Sequence, residues 1–358
     1  MRKINYISEI FLPSKSAYSI QVMKMCNELS RRNNHVELHV MNIYKKNVHI
    51  RYNCEKKFKI ISHKINYNNF INRILYSLKI LFYVRKSNDI FYSRSIITGI
   101  LLAYINKNVI IELHHELKGF TSILFNKSKN FNFFKKIKFI FITTNLKKYF
   151  NLANRSLIAG DAVDLSSFKK VKKFKKINKT CVYTGSLAKG KGLEIILKVA
   201  KLLPEINFHI YGDFSNSHFS EFDLKKYQNI KFLGFIEYKN IPKILNKYYL
   251  YLMPYQKKVY VRSNNIEVGK FMSPMKLFEY MAADGVIIAS NLKVYNHILN
   301  YKNSILIKDN SVEDWKKKIK YYFKNKFKFE YLSKNASKNV KNYTWEKRII
   351  KLDKFLNV

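Results

Sequence analysis

Short apolar runs alternate regularly with helical patterns along this chain, and that alternation constrains its fold more than any other feature. KINYISEIF from Lys3 opens with strand-like alternation. SIQVMKMCNELSRR (Ser19 to Arg32) has helical spacing, and HVELHVMNI from His35 alternates as a second strand. DIFYSRS, NVIIELHH and KFIFITTN each read as a short strand ending in polar residues, with helical patterns between them. Strand, helix and strand in steady succession give a parallel sheet wrapped by helices. Ligands of such sheets sit off the carboxyl ends of the strands, so Arg94, His114, His115 and Thr144 are the polar ends to follow.

The pattern gives way to turn residues and charge in SLIAGDAVDLSSFKKVKKFKK, and a second series then starts at CVYTGSL. With 358 residues, the chain exceeds the size at which single cores stop growing. The expected organisation is α/β: a Rossmann-like domain over 1–165, a linker over 166–178, a second Rossmann-like domain over 179–340 and a C-terminal helix over 341–358 that packs back on the first domain. The halves show no internal sequence repeat. The longest apolar run, IITGILLAYI, is about half of what a membrane span needs. The N-terminus, interrupted by Asn5, Ser8 and Glu9, does not read as a signal peptide. Cys26, Cys54 and Cys181 are far apart and form no CxxC, which fits a reducing compartment and argues against structural zinc. The expectation is a cytoplasmic protein, peripheral on the inner face of the cell membrane.

The formal charge of +43 has three readings. Lysine spread from end to end beside Asn, Ile, Tyr and Phe reflects A/T-rich codons. Attraction to anionic lipid is the second reading, at about 1 kcal/mol per well-placed Lys. KKVKKFKK (Lys169 to Lys176) and FNFFKKIKF (Phe131 to Phe139) are its candidate seats. A nucleic-acid surface is the third and weakest, because the cations are not gathered on one face.

Only Gly99 and Gly119 of the ten glycines precede residue 150. GSLAKGKG (Gly185 to Gly192) is the one compact cluster, set between a strand and a helix, and Gly212 and Gly234 close strands in the same half. Glycine lets backbone approach a phosphate, and Lys189 or Lys191 could neutralise it. Tight βα turns need the same glycines, so the two readings stand side by side. The cluster is not GxGxxG, which argues against an ordinary dinucleotide site.

SPMKLFEYMAADGVIIAS (Ser273 to Ser290) reads as an N-cap, a proline at the first helical position, a helix of about three turns and a buried strand. At 100° per residue the helix is apolar nearly all round, and Lys276 and Glu279 share a stripe about 60° wide. That stripe faces either a wet cleft or bulk solvent, as an ordinary i, i+3 pair would.

Taken together, these stretches resemble the family 4 retaining glycosyltransferases, which have the GT-B architecture of two facing Rossmann-like domains and an interdomain cleft. The likeness spans nearly the whole chain. It rests on PSKSAYSIQVMKMCNELSRRNNHVEL, VIIELHH, AGDAVDLSSF, VYTGSLAKGKGLEIIL, NIKFLGFI, SPMKLFEYMAADGVIIAS and YTWEKRI, in that order. The resemblance implies a hexosyltransferase-type enzyme whose catalytic residues are His114, Lys191 and Glu279. It implies donor contacts from Gly185, Ser186, Lys191, Gly212, Ser273, Pro274, Met275, Lys276 and Glu279. Glu279 would accept hydrogen bonds from ribose hydroxyls, and the helix start and Lys191 would face the diphosphate. Ser16, Ala17 and Arg94 belong to the acceptor side and first loop.

The expected partners are a UDP-, GDP- or ADP-sugar, a glycan or lipid-linked acceptor and an anionic membrane surface, with no nucleic acid. No cofactor or metal is expected, since no Asp-x-Asp motif occurs, and transfer would retain the anomeric configuration. Some positions depart from the family pattern. Phe271 replaces an earlier glutamate, with Glu267 the candidate substitute, and Ser186 stands in the place of an arginine. Ala283-Asp284 stands for Ala-Gly, and His297 for an acid. These departures leave open a non-catalytic or weakened nucleotide-sugar-binding member. Charge alone leaves open a basic nucleic-acid-binding protein, and the shared architecture leaves open a sugar-nucleotide epimerase.

Overall fold

The computed structural model describes residues 2–55, 57–171, 174–214, 227–261, 266–308 and 310–357. The chain divides into two compact units, Met1–Gly160 together with Trp345–Val358, and Asp161–Thr344. Residues 166–178 therefore lie inside the second unit, where the short helix Leu165–Lys169, capped by the Asp164 side chain, carries the buried Phe168.

The first unit holds a seven-stranded, all-parallel sheet. Its order is Lys59–Ser62, His35–Val40, Lys3–Ile7, Ile90–Ser93, Asn108–Leu113, Lys138–Phe141 and Ser156–Ile158. The alternation of HVELHV does not mark a half-solvated strand. Every residue after His35 is buried, as expected where helices cover both faces. His39 is accommodated by hydrogen bonds at 3.0 Å to Asn5 and to His63, and burial pushes its imidazole down to about 3. Helix Trp345–Asn357 packs on helix Ala17–Arg31 and completes this unit, with Arg32 donating to Asp353 at 2.8 Å.

The second unit holds a six-stranded parallel sheet. Its order is Ile230–Phe232, Asn207–Tyr211, Thr180–Thr184, Leu250–Met253, Val286–Ser290 and Ile305–Ile307. Side chains alternate between two cores. Val182, Met253 and Ile287 enter one; Cys181, Leu252 and Ile288 enter the other. In both sheets the strand order reverses beside the first strand, which leaves a crevice at the carboxyl end of that strand and its neighbour. In the second unit those ends are Thr184 and Met253.

The helix of SPMKLFEYMAAD runs from Met275 to Ala282, one residue later than its sequence suggests. Pro274 occupies the N-cap in extended conformation and cannot cap through its side chain. The Ser273 hydroxyl is engaged elsewhere, accepting the Asp161 amide at 2.9 Å. Likewise IKFLGFI keeps strand geometry only over Ile230–Phe232. Among the described residues, no helix is long and apolar enough to cross a membrane.

Candidate active site

In the second unit the chain leaves Thr184 through Gly185, whose φ of +127° suits glycine alone. A Cβ there would lie 2.9 Å from the Lys276 Cε. The loop then closes at Gly192 (φ +86°), where a Cβ would lie 1.9 Å from the Pro254 carbonyl oxygen. The glycine loop is thus pressed against the end of the neighbouring strand, at the crevice, and carries Lys191 there. The Lys191 Nζ lies 3.4 Å from the Tyr255 hydroxyl and 4.5 Å from its ring centroid.

Lys276, in the first turn of the Met275–Ala282 helix, reaches the same tyrosine. Its Nζ is 5.1 Å from the Tyr255 centroid and 3.4 Å over the ring of Tyr183. The ammonium is buried and has no hydrogen-bond partner among the described residues. Glu279, one turn on, is buried too. Lys276 at 7% and Glu279 at 6% exposure do not lie on a solvated outer face.

Burial without full ionic pairing drives each group toward its neutral form. It lowers Lys191 to about 8. Burial, and then the charge of Lys191, push Lys276 well down, with Glu279 opposing. Burial raises Glu279 to about 7 against the attraction of Lys276, and Asp161 adds to the rise. The helix has no acidic residue in its first turn, so its N-terminal amides retain their positive end. Two desolvated amines on a tyrosine, beside a helix N-terminus and a carboxyl group, form a seat whose electrostatics an anion would complete.

The other donor-side residues fall around this centre. Gly212 follows its strand and donates its amide to the Gly234 carbonyl at 2.9 Å, packed close to the Gly185 carbonyl. Ser186 is exposed, its hydroxyl accepting the Ala188 amide at 3.3 Å. Met275 is buried. Phe271, in the place of a glutamate, is buried as well, and Glu267 sits in a separate two-stranded ribbon paired to Tyr260. Asp284 is exposed and pairs with Lys176 at 3.4 Å.

In the first unit the hub is Glu112, fully buried on strand Asn108–Leu113. Its Oε1 accepts from Gln21 at 2.8 Å, Arg348 at 2.9 Å and His114 Nε2 at 2.5 Å, and its Oε2 accepts from the Tyr92 hydroxyl. The Arg348 guanidinium holds the carboxylate below its usual range despite burial. An ionised carboxylate only accepts, so His114 Nε2 carries the proton and Nδ1 keeps its lone pair. Burial, with Arg94 adding, lowers His114 to about 3, so the ring is neutral near pH 7. Arg94 donates to Gln21 at 2.5 Å and lies 4.0 Å over the Tyr18 ring. Ser16 caps the helix that Ala17 opens, accepting the Ser19 amide at 3.2 Å and meeting Ser14 at 2.9 Å.

The structure therefore brings together Gly185, Lys191, Lys276 and Glu279 in one unit, and His114 with Arg94 through Gln21 and Glu112 in the other. Tyr183, Tyr255, Glu112, Gln21 and Arg348 were not singled out by sequence. Glu112 alone left a signal, as an acid inside the apolar strand VIIEL. Among the described residues no three His, Cys, Asp or Glu side chains cluster as metal ligands would.

The family model described as glycosyl transferases group 1 matches residues 166–340. Lys191, Lys276 and Glu279 all lie within the matched residues. Over its whole length the chain is similar to sucrose-phosphate synthase from Thermosynechococcus elongatus. The identity is 13%, covering 100% of this chain and 98% of that one, with a TM-score of 0.77. It is also similar to a glycosyltransferase from Rickettsia africae, at 14% identity over 99% and 98% of the two chains and a TM-score of 0.75. The Anabaena protein HepE, solved with UDP and glucose, matches at 12% over 100% of both chains with a TM-score of 0.72. At such identities the likeness is one of fold, and the fold is GT-B, with two Rossmann-like domains. No curated protein matches by sequence. Together the group 1 match and the GT-B fold support transferase activity for the chain.

Proposed function

We propose that this glycosyltransferase is a family 4 retaining enzyme that moves a hexose from a nucleotide-sugar onto a glycan or lipid-linked acceptor without a metal. The observation that carries the reading is the convergence of the Lys191 and Lys276 amines on Tyr255, beside Glu279, within the residues of the group 1 match. In this reading the two amines and the amides at Met275 meet the charge of the departing diphosphate. Glu279 offers two acceptor oxygens to the vicinal diol of a ribose. A donor phosphate oxygen then assists the acceptor hydroxyl on the face the leaving group occupied, which retains configuration. His114, neutral and with a free Nδ1 lone pair, serves the acceptor side with Arg94, Ser16 and Ala17 as its surroundings.

Neighbours solved with UDP or UDP-glucose make UDP-sugars the first donors to test. A thermal-shift panel of UDP-, GDP- and ADP-sugars reads the base, because a ligand of the folded state raises its melting temperature. Transfer is then followed in the presence of a chelator, with the product anomer assigned by NMR. Lys191→Ala and Glu279→Ala should each cut transfer at least about a hundredfold with the fold intact. Full activity in both discards the assigned site, and loss of transfer on chelation discards the metal-free reading. Phe271 and Ser186 favour a second reading, a weakened or non-catalytic binder. It predicts a thermal shift with donor but no hydrolysis or release of nucleoside diphosphate.

A further inference from the structure

The helix Phe70–Val84 of the first unit is apolar on both sides. Tyr76, Ile80 and Val84 face the core, as an amphipathic helix requires. On the opposite side Ile71 (74% exposed), Leu75 (42%), Leu78 (54%) and Phe82 (70%) form a continuous stripe at i, i+4, i+7 and i+11. Phe70 meets Phe120 edge to face at 4.8 Å, which continues the apolar surface onto helix Gly119–Ser128 through Phe120 and Ile123, both exposed. A row of large apolar side chains in water is the pattern that marks an interaction surface.

What covers it is indicated by charge. At the end of the same helix a hollow of about 570 Å³ is walled by Lys64, Lys79, Arg85 and Lys86 around Phe82 and Tyr83. No acidic residue occurs between Glu55 and Asp89, nor between Glu116 and Asp161, the two segments that build this surface. Apolar side chains ringed by cations with no counter-charge match the boundary of an anionic bilayer, with acyl chains below and phosphates above. A protein partner would need an acidic rim around an apolar core, and a second copy of this face would set like charges against each other.

We infer that the Phe70–Val84 helix docks the protein on anionic phospholipid, with Ile71, Leu75, Leu78 and Phe82 entering the acyl boundary and the Lys64–Lys86 hollow receiving headgroup phosphates. The basic runs singled out by sequence are poorer seats. In FNFFKKIKF the side chains of Phe134, Ile137 and Phe139 are buried in the unit's own core, and KKVKKFKK includes residues 172–173, which lie outside the described residues.

The test is co-sedimentation of the full chain with vesicles of phosphatidylcholine alone or mixed with phosphatidylglycerol. The mixed vesicles should bind it and the neutral ones much less. Leu78→Asn with Phe82→Asn should lower partitioning at least about tenfold. Lys64→Gln with Lys86→Gln should lower it about fivefold per lysine, with binding more salt-sensitive in the wild type. All four side chains are exposed, so unchanged melting temperatures identify folded variants. Phe327→Asp, at an 84% exposed apolar residue of the other unit, should bind as wild type. Equal binding to both vesicle types, no binding at all, or stripe variants that partition like wild type overturn the inference. So does a stripe variant that turns a dimer into a monomer, which assigns the surface to a second copy. No donor or acceptor is present in this assay, so its failure leaves the transfer reading untouched.

Discussion

At the scale of residues, the donor-side centre is a set of groups held short of their charged states. Lys191 sits near 8 and Glu279 near 7 because both are taken out of water, and Lys276 is pushed down further by its neighbour Lys191. A diphosphate would restore the amines' preference for the protonated form. Donor binding at pH 8 to 9 should therefore take up protons, approaching about one per site from Lys191. Calorimetry in buffers of different ionisation enthalpy reads the uptake, and Lys191→Met should reduce it. The raised Glu279 has a second consequence. Its folded value exceeds its ordinary 4.5, so its contribution to stability is complete below about 4.5 and lost as pH rises through about 7. Glu279→Gln should match wild type at pH 4 and exceed it at pH 8 by on the order of 3 kcal/mol in urea unfolding. Equal gains at both pH values would refute the buried, proton-holding carboxyl. The sequence showed that Lys276 and Glu279 share a stripe, because spacing fixes direction on a helix. It did not show burial, because the rings that enclose Lys276 come from Tyr183 and Tyr255, on strand ends remote in the chain.

At the scale of elements, both sheets were readable because short strand-like segments recur between helical patterns. Ends were read less well. The Met275 helix begins late because Ser273 has a tertiary use, the Asp161 amide, that local capping rules do not include. Similarly, 166–178 looked like a linker by charge, yet Phe168 anchors its start into the second unit. The glycine loop was legible as a close-approach device, but not which close approach it served. Gly192→Ala tests this directly. A Cβ at a φ of +86° and 1.9 Å from the Pro254 carbonyl cannot be absorbed by a side-chain movement. It should cost about 1–3 kcal/mol by strain and displace Lys191, weakening donor binding together with stability. Denaturant midpoints and the donor thermal shift measure the two effects. A stable variant with unchanged donor affinity would show that the loop does not position the lysine.

At the scale of the whole molecule, nothing local in the sequence joins Glu112 to Arg348, which lie 236 positions apart. Their side chains are nearly free of solvent, with relative exposures of 0% and 4%. Arg348→Met should cost about 3–5 kcal/mol by leaving the carboxylate uncompensated, and Glu112→Gln added to it should recover much of the loss. Because Glu112 is held below its unfolded range, the stability it supplies is present at neutral pH and falls away in acid. Chemical denaturation of the single and double variants decides it: two independent, additive losses would mean that the pair is not coupled.

Because strand Asn108–Leu113 meets the Arg348 guanidinium through helix Trp345–Asn357, the first unit is finished by a segment made after the second unit. During synthesis the amino-terminal sheet waits with an acid in its interior while the entire second unit is made. A message broken just after Thr344 would therefore yield a product with its second unit entire and its first unit unable to settle, an immediate substrate for proteolysis.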